Sequence, residues 1–239
     1  ANTTASNNTA IGYAALSANT TGEVNSAFGA SSLFTNTTGY GNTAVGKNAL
    51  YTNNGNNNTA VGHESLEANT TGEANVAVGR QALEANTTGN ENTAVGAYAL
   101  DANTTGDNNT AVGRQALTAN TTADDNVAVG DNALNSSTTG DGLTAIGTEA
   151  LLYNTTGSNN TAVGRQALET NTTGTENVAV GAYALDNSST SSYNTAVGYG
   201  ALTQMTTGNS NTALGHRASD VSTTASNTVA VGTDALGSL

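Results

Sequence analysis

The sequence predicts an all-β fold: a parallel β-solenoid (β-roll or β-helix) of about 13 coils of 17 residues. Three observations predict it. First, a T-A-V-G string or close variant begins at Thr9, Ser26, Thr43, Thr59, Val76, Thr93, Thr110, Val127, Thr144, Thr161, Val178, Thr195, Thr212 and Val229. Second, successive starts are 17 residues apart, except for 16 between Thr43 and Thr59, which is too short a period for a helical-hairpin repeat of about 30 residues. Third, only 4% of residues are aromatic, and there is no Pro, Cys or Trp. A thick core needs large apolar side chains; this chain offers Ala and Val, which suit a thin core.

One unit reads T-A-V-G-x-x-A-L-x-A-N-T-T-G-x-x-N, as in residues 93–109. T-A-V alternates with the period of a pleated strand. The constant fourth residue, such as Gly46 or Gly96, supplies positive φ at a corner. A-L reads as a second short strand, with Val and Leu of the third and eighth positions pointing inward as columns. On that reading Val112→Asp buries a charge and destabilises strongly. The invariant Ala marks a close approach. N-T-T-G is turn chemistry, and its Asn recurs in columns suited to side-chain amide ladders. Stacked copies give parallel sheets rising about 4.8 Å per coil, hence a rod of order 60 Å. No coil buries its apolar face alone, so stability comes from neighbours. The array is expected to fill residues 1–239: a partial unit at 1–8, thirteen repeats at 9–228 and a truncated unit at 229–239.

The net charge is −13 with five Lys and Arg, which excludes the basic footprint of a nucleic-acid binder and disfavours anionic lipid. No run of 18 apolar residues or signal peptide is visible, so this segment is not expected to insert in a membrane. Without cysteine there is no disulfide framework or thiolate metal site. Ala1 starts in a turn and Leu239 stops within a coil, as expected of a mature product, a fragment or a chain that stacks end to end.

N-T-A-I-G-Y-A-A-L (residues 8–16) and N-V-A-V-G-R-Q-A-L (residues 75–83) resemble the head repeats of trimeric autotransporter adhesins. Similar N-T-A-V-G repeats occur in phage tail-fibre and surface proteins. The resemblance covers essentially the whole chain but rests on about five positions per unit. It implies a left-handed parallel β-roll, three chains side by side in a trimer, and binding to collagen or cell surfaces in some members. The family's head repeats are shorter, and here N-T-T-G adds a longer outward loop. No coiled-coil stalk, neck or membrane anchor accompanies the repeats in this sequence. The Ala column is either a three-fold contact face or the tight interior of a lone solenoid.

Candidate chemistry is sparse. His63 and His216 share the variable fifth position many coils apart and read as surface decoration. No Asp accompanies either to build a nucleophile–His–Asp set. Asp107, Asp124, Asp125 and Asp141 lie in oxygen-rich turns where calcium is the candidate ion, although the acids do not recur in every coil. Glu67 and Glu84 occupy equivalent positions in consecutive coils and repel mildly; Arg80, Arg114 and Arg165 read as a duplicated surface. Asn19, Asn36, Asn69, Asn86, Asn103, Asn120, Asn154 and Asn171 each open an Asn-Thr-Thr sequon and are the candidate glycan acceptors, against the simpler reading of turn chemistry. Thr columns also raise ice binding, but the two Thr of N-T-T alternate faces.

The expectation is therefore a non-enzymatic structural or adhesive fibre segment, extracellular, on a cell surface or virion, with no catalytic or cofactor-binding residues. Its expected partners are itself, as a homotrimer or an end-to-end filament, and a host surface glycan or protein. A self-assembling extracellular filament or matrix protein is the alternative, and an ice-binding solenoid a lesser one.

Overall fold

The computed structural model describes residues 4–237. Among them there is no helix, and so none long and apolar enough to cross a membrane. The chain groups into two compact units, residues 1–122 and 123–239. Each is a run of coils in which one three-residue strand pairs in parallel with its copy in the next coil.

The first unit carries β1 (Thr9–Ile11), β2 (Ser26–Phe28), β3 (Thr43–Val45), β4 (Thr59–Val61), β5 (Val76–Val78), β6 (Thr93–Val95) and β7 (Thr110–Val112). Equivalent residues face each other, as with Ala94 and Ala111 in β6 and β7. The 16-residue spacing between β3 and β4 leaves this register intact, because Thr43 still pairs with Thr59; the deletion is absorbed in the turn around Gly55. The second unit carries β8 (Val127–Val129), β9 (Thr144–Ile146), β10 (Thr161–Val163), β11 (Val178–Val180), β12 (Thr195–Val197), β13 (Thr212–Leu214) and β14 (Val229–Val231). The same residue-for-residue register runs from β8 to β14.

The coil of residues 93–109 shows how the interior is filled. Ala94, Ala99, Leu100, Asn103 and Asn109 are all fully buried. Val95 is not; it stands outward, 37% exposed. The expected inward Val column is thus corrected. A period of two places Thr93 and Val95 on one face and Ala94 on the other, and the lumen, already holding a Leu and two Asn, admits only the small residue.

The expected second strand at A-L is also corrected. Tyr98 and Leu100 adopt positive φ of 59° and 53°, so this stretch curls instead of extending. It is still tied to its neighbours: Tyr98 N–H donates to the Arg80 carbonyl at 2.9 Å, and Leu100 N–H to the Ala116 carbonyl at 3.0 Å. Leu takes this left-handed conformation at the eighth position in coil after coil. Its strain, about 1 kcal/mol, is offset by burying a whole leucine, worth about 2 kcal/mol.

Two glycine columns fix the corners. Gly96 has φ 141° as expected, and a Cβ there would overlap the Gly113 carbonyl of the next coil. Gly89, in the N-T-T-G turn, has no positive φ; a Cβ would meet Asn86 Oδ1 and the Gly106 carbonyl oxygen, both at 2.5 Å. The first glycine is required by conformation and approach, the second by approach alone.

Candidate functional site

The coil presents chemically distinct surfaces, and each follows from where the repeat places its residues.

The N-T-T-G turn directs Asn inward and Thr outward. In the first unit Asn36, Asn69, Asn86, Asn103 and Asn120 each donate a side-chain amide to the Oδ1 of the preceding column member, at 3.0, 2.6, 2.8, 2.8 and 2.9 Å. The amides of Asn36, Asn69, Asn86 and Asn103 also bond the glycine carbonyl of their own turn, as Asn19 does to Gly22 at 2.9 Å. Asn154 and Asn171 repeat this in the second unit, bonding Gly157 and Gly174 at 3.0 and 3.1 Å. The expected amide ladder is present. All eight sequon asparagines are fully buried. A glycan on any of their amides would displace the ladder bond and enter the lumen, so these positions do not offer a free acceptor in the folded coil.

A second Asn column, at the residue before twelve of the fourteen strands, forms a ladder that the sequence reading did not include. Asn92 N–H donates to Asn75 Oδ1 at 3.0 Å, and Asn109 N–H to Asn92 Oδ1 at 2.9 Å. Their amides reach across the coil, Asn92 to the Gly106 carbonyl at 2.8 Å. The signal is a seventeenth position that is Asn in all but two units, where Leu143 and Thr228 stand.

In the second unit apolar and hydroxyl residues interrupt both columns. Ser137, Ser188, Met205 and Ser222 replace Asn in one, and Leu143 and Thr228 in the other; Ser137, Ser188, Met205 and Leu143 are buried. The Ser188 hydroxyl turns to Ser191, and Asn171 Oδ1 is left buried without a partner.

The turn at the fifteenth and sixteenth positions carries acids but no cations. Its acids are engaged across coils: Asp107 Oδ1 accepts from Asn90 N–H at 2.6 Å, and Asp141 Oδ1 from Asp124 N–H at 2.9 Å. Of the Asp residues considered for calcium, Asp107 and Asp141 therefore have a carboxylate oxygen already engaged by the backbone of the preceding coil.

The corner formed by the fifth, sixth and ninth positions holds every Lys and Arg of the chain. Arg80 lies 4.4 Å from the centre of the Tyr98 ring, and Arg165 lies 5.4 Å from that of Tyr183. His63 Nδ1 is 3.2 Å from Glu64, and the His216 ring stacks on Tyr199 at 5.5 Å. Neither histidine meets a nucleophile–His–Asp set. Glu64, Glu67 and Glu84 bring carboxylate oxygens within 4.8 Å of one another. Burial and then the Glu64 and Glu84 charges raise the Glu67 pKa. Asp101 continues the Glu67 and Glu84 column; its carboxyl is pushed to about 6 by burial first and Glu84 second. Sequence reasoning saw the Glu67 and Glu84 repulsion but missed that Asp101 extends it.

The outward strand face carries no charge at all. Thr, Val or, in β2, Ser at the first strand position and Val, Ile, Phe or Leu at the third form two parallel columns in each unit. Ile146 is 41% exposed and Leu214 48%.

Compared with known families and curated proteins, the chain matches no family model and no curated relative.

Proposed function

We propose that this chain is a structural and adhesive segment of an extracellular fibre, of the phage tail-fibre or bacterial surface-adhesin kind, in which copies pack side by side as a homotrimer. The uncharged strand face carries this reading. A chain of net charge −13 keeps the strand face of each unit free of every acid and cation and lines it largely with aliphatic side chains. Contiguous exposed apolar surface marks an interaction site, and a repeated face suits a copy of itself, since equivalent residues then meet equivalent residues in every coil. Its role is mechanical and adhesive, not catalytic: the interior is filled by Leu, Ala and, in most coils, two hydrogen-bonded Asn. The outward turns repeat, so weak contacts to a host surface add up through avidity. Solution mass across a dilution series tests the assembly.

A second reading is supported by the same face. Thr43, Thr59, Thr93 and Thr110 project on the side of the neighbouring Val column. Such a flat hydroxyl-and-methyl lattice suits ordered water, as in an ice-binding solenoid. Measurable thermal hysteresis at millimolar protein would favour it over self-association.

A further inference from the structure

We propose that the groove over Gly200 in the second unit binds a single neutral pyranose ring. This deepens the adhesive reading, but it uses a feature that self-assembly does not require.

The groove is a gap in a side-chain column. Tyr183, Gly200 and Arg217 are the sixth residues of three consecutive coils. Gly200 has φ 63°, close to the 61° of Tyr183 and the 52° of Arg217, so the backbone runs on unchanged and only a side chain is missing. The two flanking coils stand two strand spacings apart, about 9.6 Å. The cavity between them is about 270 Å³. That is slightly below the smallest drug-sized sites, about 300 Å³, and suits one sugar ring or the end of a glycan, not an extended chain.

Its lining fits that ligand. Asp186 and Asp220 stand at the ninth positions on either side of Thr203, and Gln204 lies beside them. Arg217 Nε donates to Asp220 at 2.8 Å, and the guanidinium has further N–H donors. The Thr203 hydroxyl is held by the Gly200 and Tyr183 carbonyls. Tyr199, 52% exposed, meets Tyr183 edge-on at 5.6 Å and is backed by the His216 ring. A sugar hydroxyl donates and accepts at once, so it is best met by carboxylate acceptors interleaved with guanidinium and amide donors. The C–H face of a pyranose packs on an aromatic ring. The two carboxylates oppose an anion, and Arg217, paired with Asp220, keeps N–H donors that a neutral polyol uses and an ammonium ligand does not.

The test is saturation-transfer NMR on the full chain with the methyl pyranosides of glucose, galactose and mannose and with N-acetylglucosamine. At least one is expected to bind with a Kd of about 1 mM, typical of one small ring, shifting the Tyr183, Tyr199 and His216 ring signals. Gly200→Gln fills the gap with the residue that Gln81, Gln115 and Gln166 place at the same position with φ of 54–55°. It should weaken binding at least about tenfold while leaving the melting temperature unchanged. Equal binding by Gly200→Gln, or binding of tetramethylammonium in place of the sugars, overturns the proposal. A chain that keeps its solution mass yet binds none of the four sugars overturns this proposal alone and leaves the fibre reading standing.

Discussion

The side-chain amide of Asn86 donates to Oδ1 of Asn69, one coil back, at 2.8 Å, and to the Gly89 carbonyl of its own turn at 3.0 Å. Asn103 then donates to Asn86 Oδ1, also at 2.8 Å. One fully buried side chain thus closes its turn and joins three coils. A buried polar group without partners is costly, so the ladder is favourable only while it is continuous.

Asn86→Asp is therefore expected to destabilise by about 3 kcal/mol or more. It removes both donated bonds and sets a carboxylate against the Asn69 and Gly89 oxygens. Chemical denaturation checks it; a loss under about 1 kcal/mol would mean the ladder is dispensable.

The sequons share this geometry. Expressed through a secretory pathway with an active transferase, folded chain should carry no glycan at Asn69, Asn86 or Asn103, whose amides are all donated. Intact mass of the folded fraction decides. Full occupancy in a natively melting chain would contradict the buried column.

Neighbouring residues of one strand should behave oppositely. Ala111 is fully buried and Val112 is 36% exposed. Ala111→Leu should cost about 3 kcal/mol by overpacking the lumen. Val112→Asp should alter the stability of the isolated chain by under about 1 kcal/mol. Thermal melts of the two variants, at concentrations where each is monomeric, check the order.

Gly96→Ala should be at least as damaging as Ala111→Leu. Its Cβ overlaps the Gly113 carbonyl, and the φ of 141° is closed to alanine. Gly89→Ala separates the two causes, because it meets a close approach without the positive φ. Both should lower the melting temperature, Gly96→Ala the more.

The acidic column sets a pH dependence. The Asp101 carboxyl is raised from 3.8 to about 6, by burial and then by Glu84, and one of its oxygens is buried without a partner. The folded state holds this proton more tightly than the unfolded chain does. Its contribution to stability is therefore fully present below pH 3.8 and is lost as pH rises to about 6. Asp186 behaves alike, raised to about 6 by burial and Glu169. Asp101→Asn should stabilise at pH 7 by about 1 kcal/mol, discounted for screening of a half-buried group, and by nothing near pH 3. A pH series of melts checks the sign.

Much of this was legible in the sequence. The repeat specified the coil count, the parallel register, the Leu column, the Gly96-type corner and the Asn69-to-Asn86 ladder. Its alternation did not say which face of T-A-V lies inside. Size favoured Val112, but a lumen shared by Leu117 and two asparagines had room only for Ala111. Nothing announced that Leu100 takes a left-handed conformation, because leucine rarely does so and only the surrounding coils enforce it. The Gly200 groove was equally hidden. Its lining comes from the coils of Tyr183, Tyr199 and Arg217, and the signal is a missing side chain within a varied column.

Assembly of copies of the chain through the uncharged strand face is the proposal on which the fibre reading stands. Light scattering of purified chain across a dilution series tests it most directly, with Val112→Asp measured alongside. A sharp mass of three times 23.6 kDa is expected for the unmodified chain and a single 23.6 kDa for the variant. A monomer at every concentration, or a mass that grows without limit and is unchanged by Val112→Asp, would contradict it.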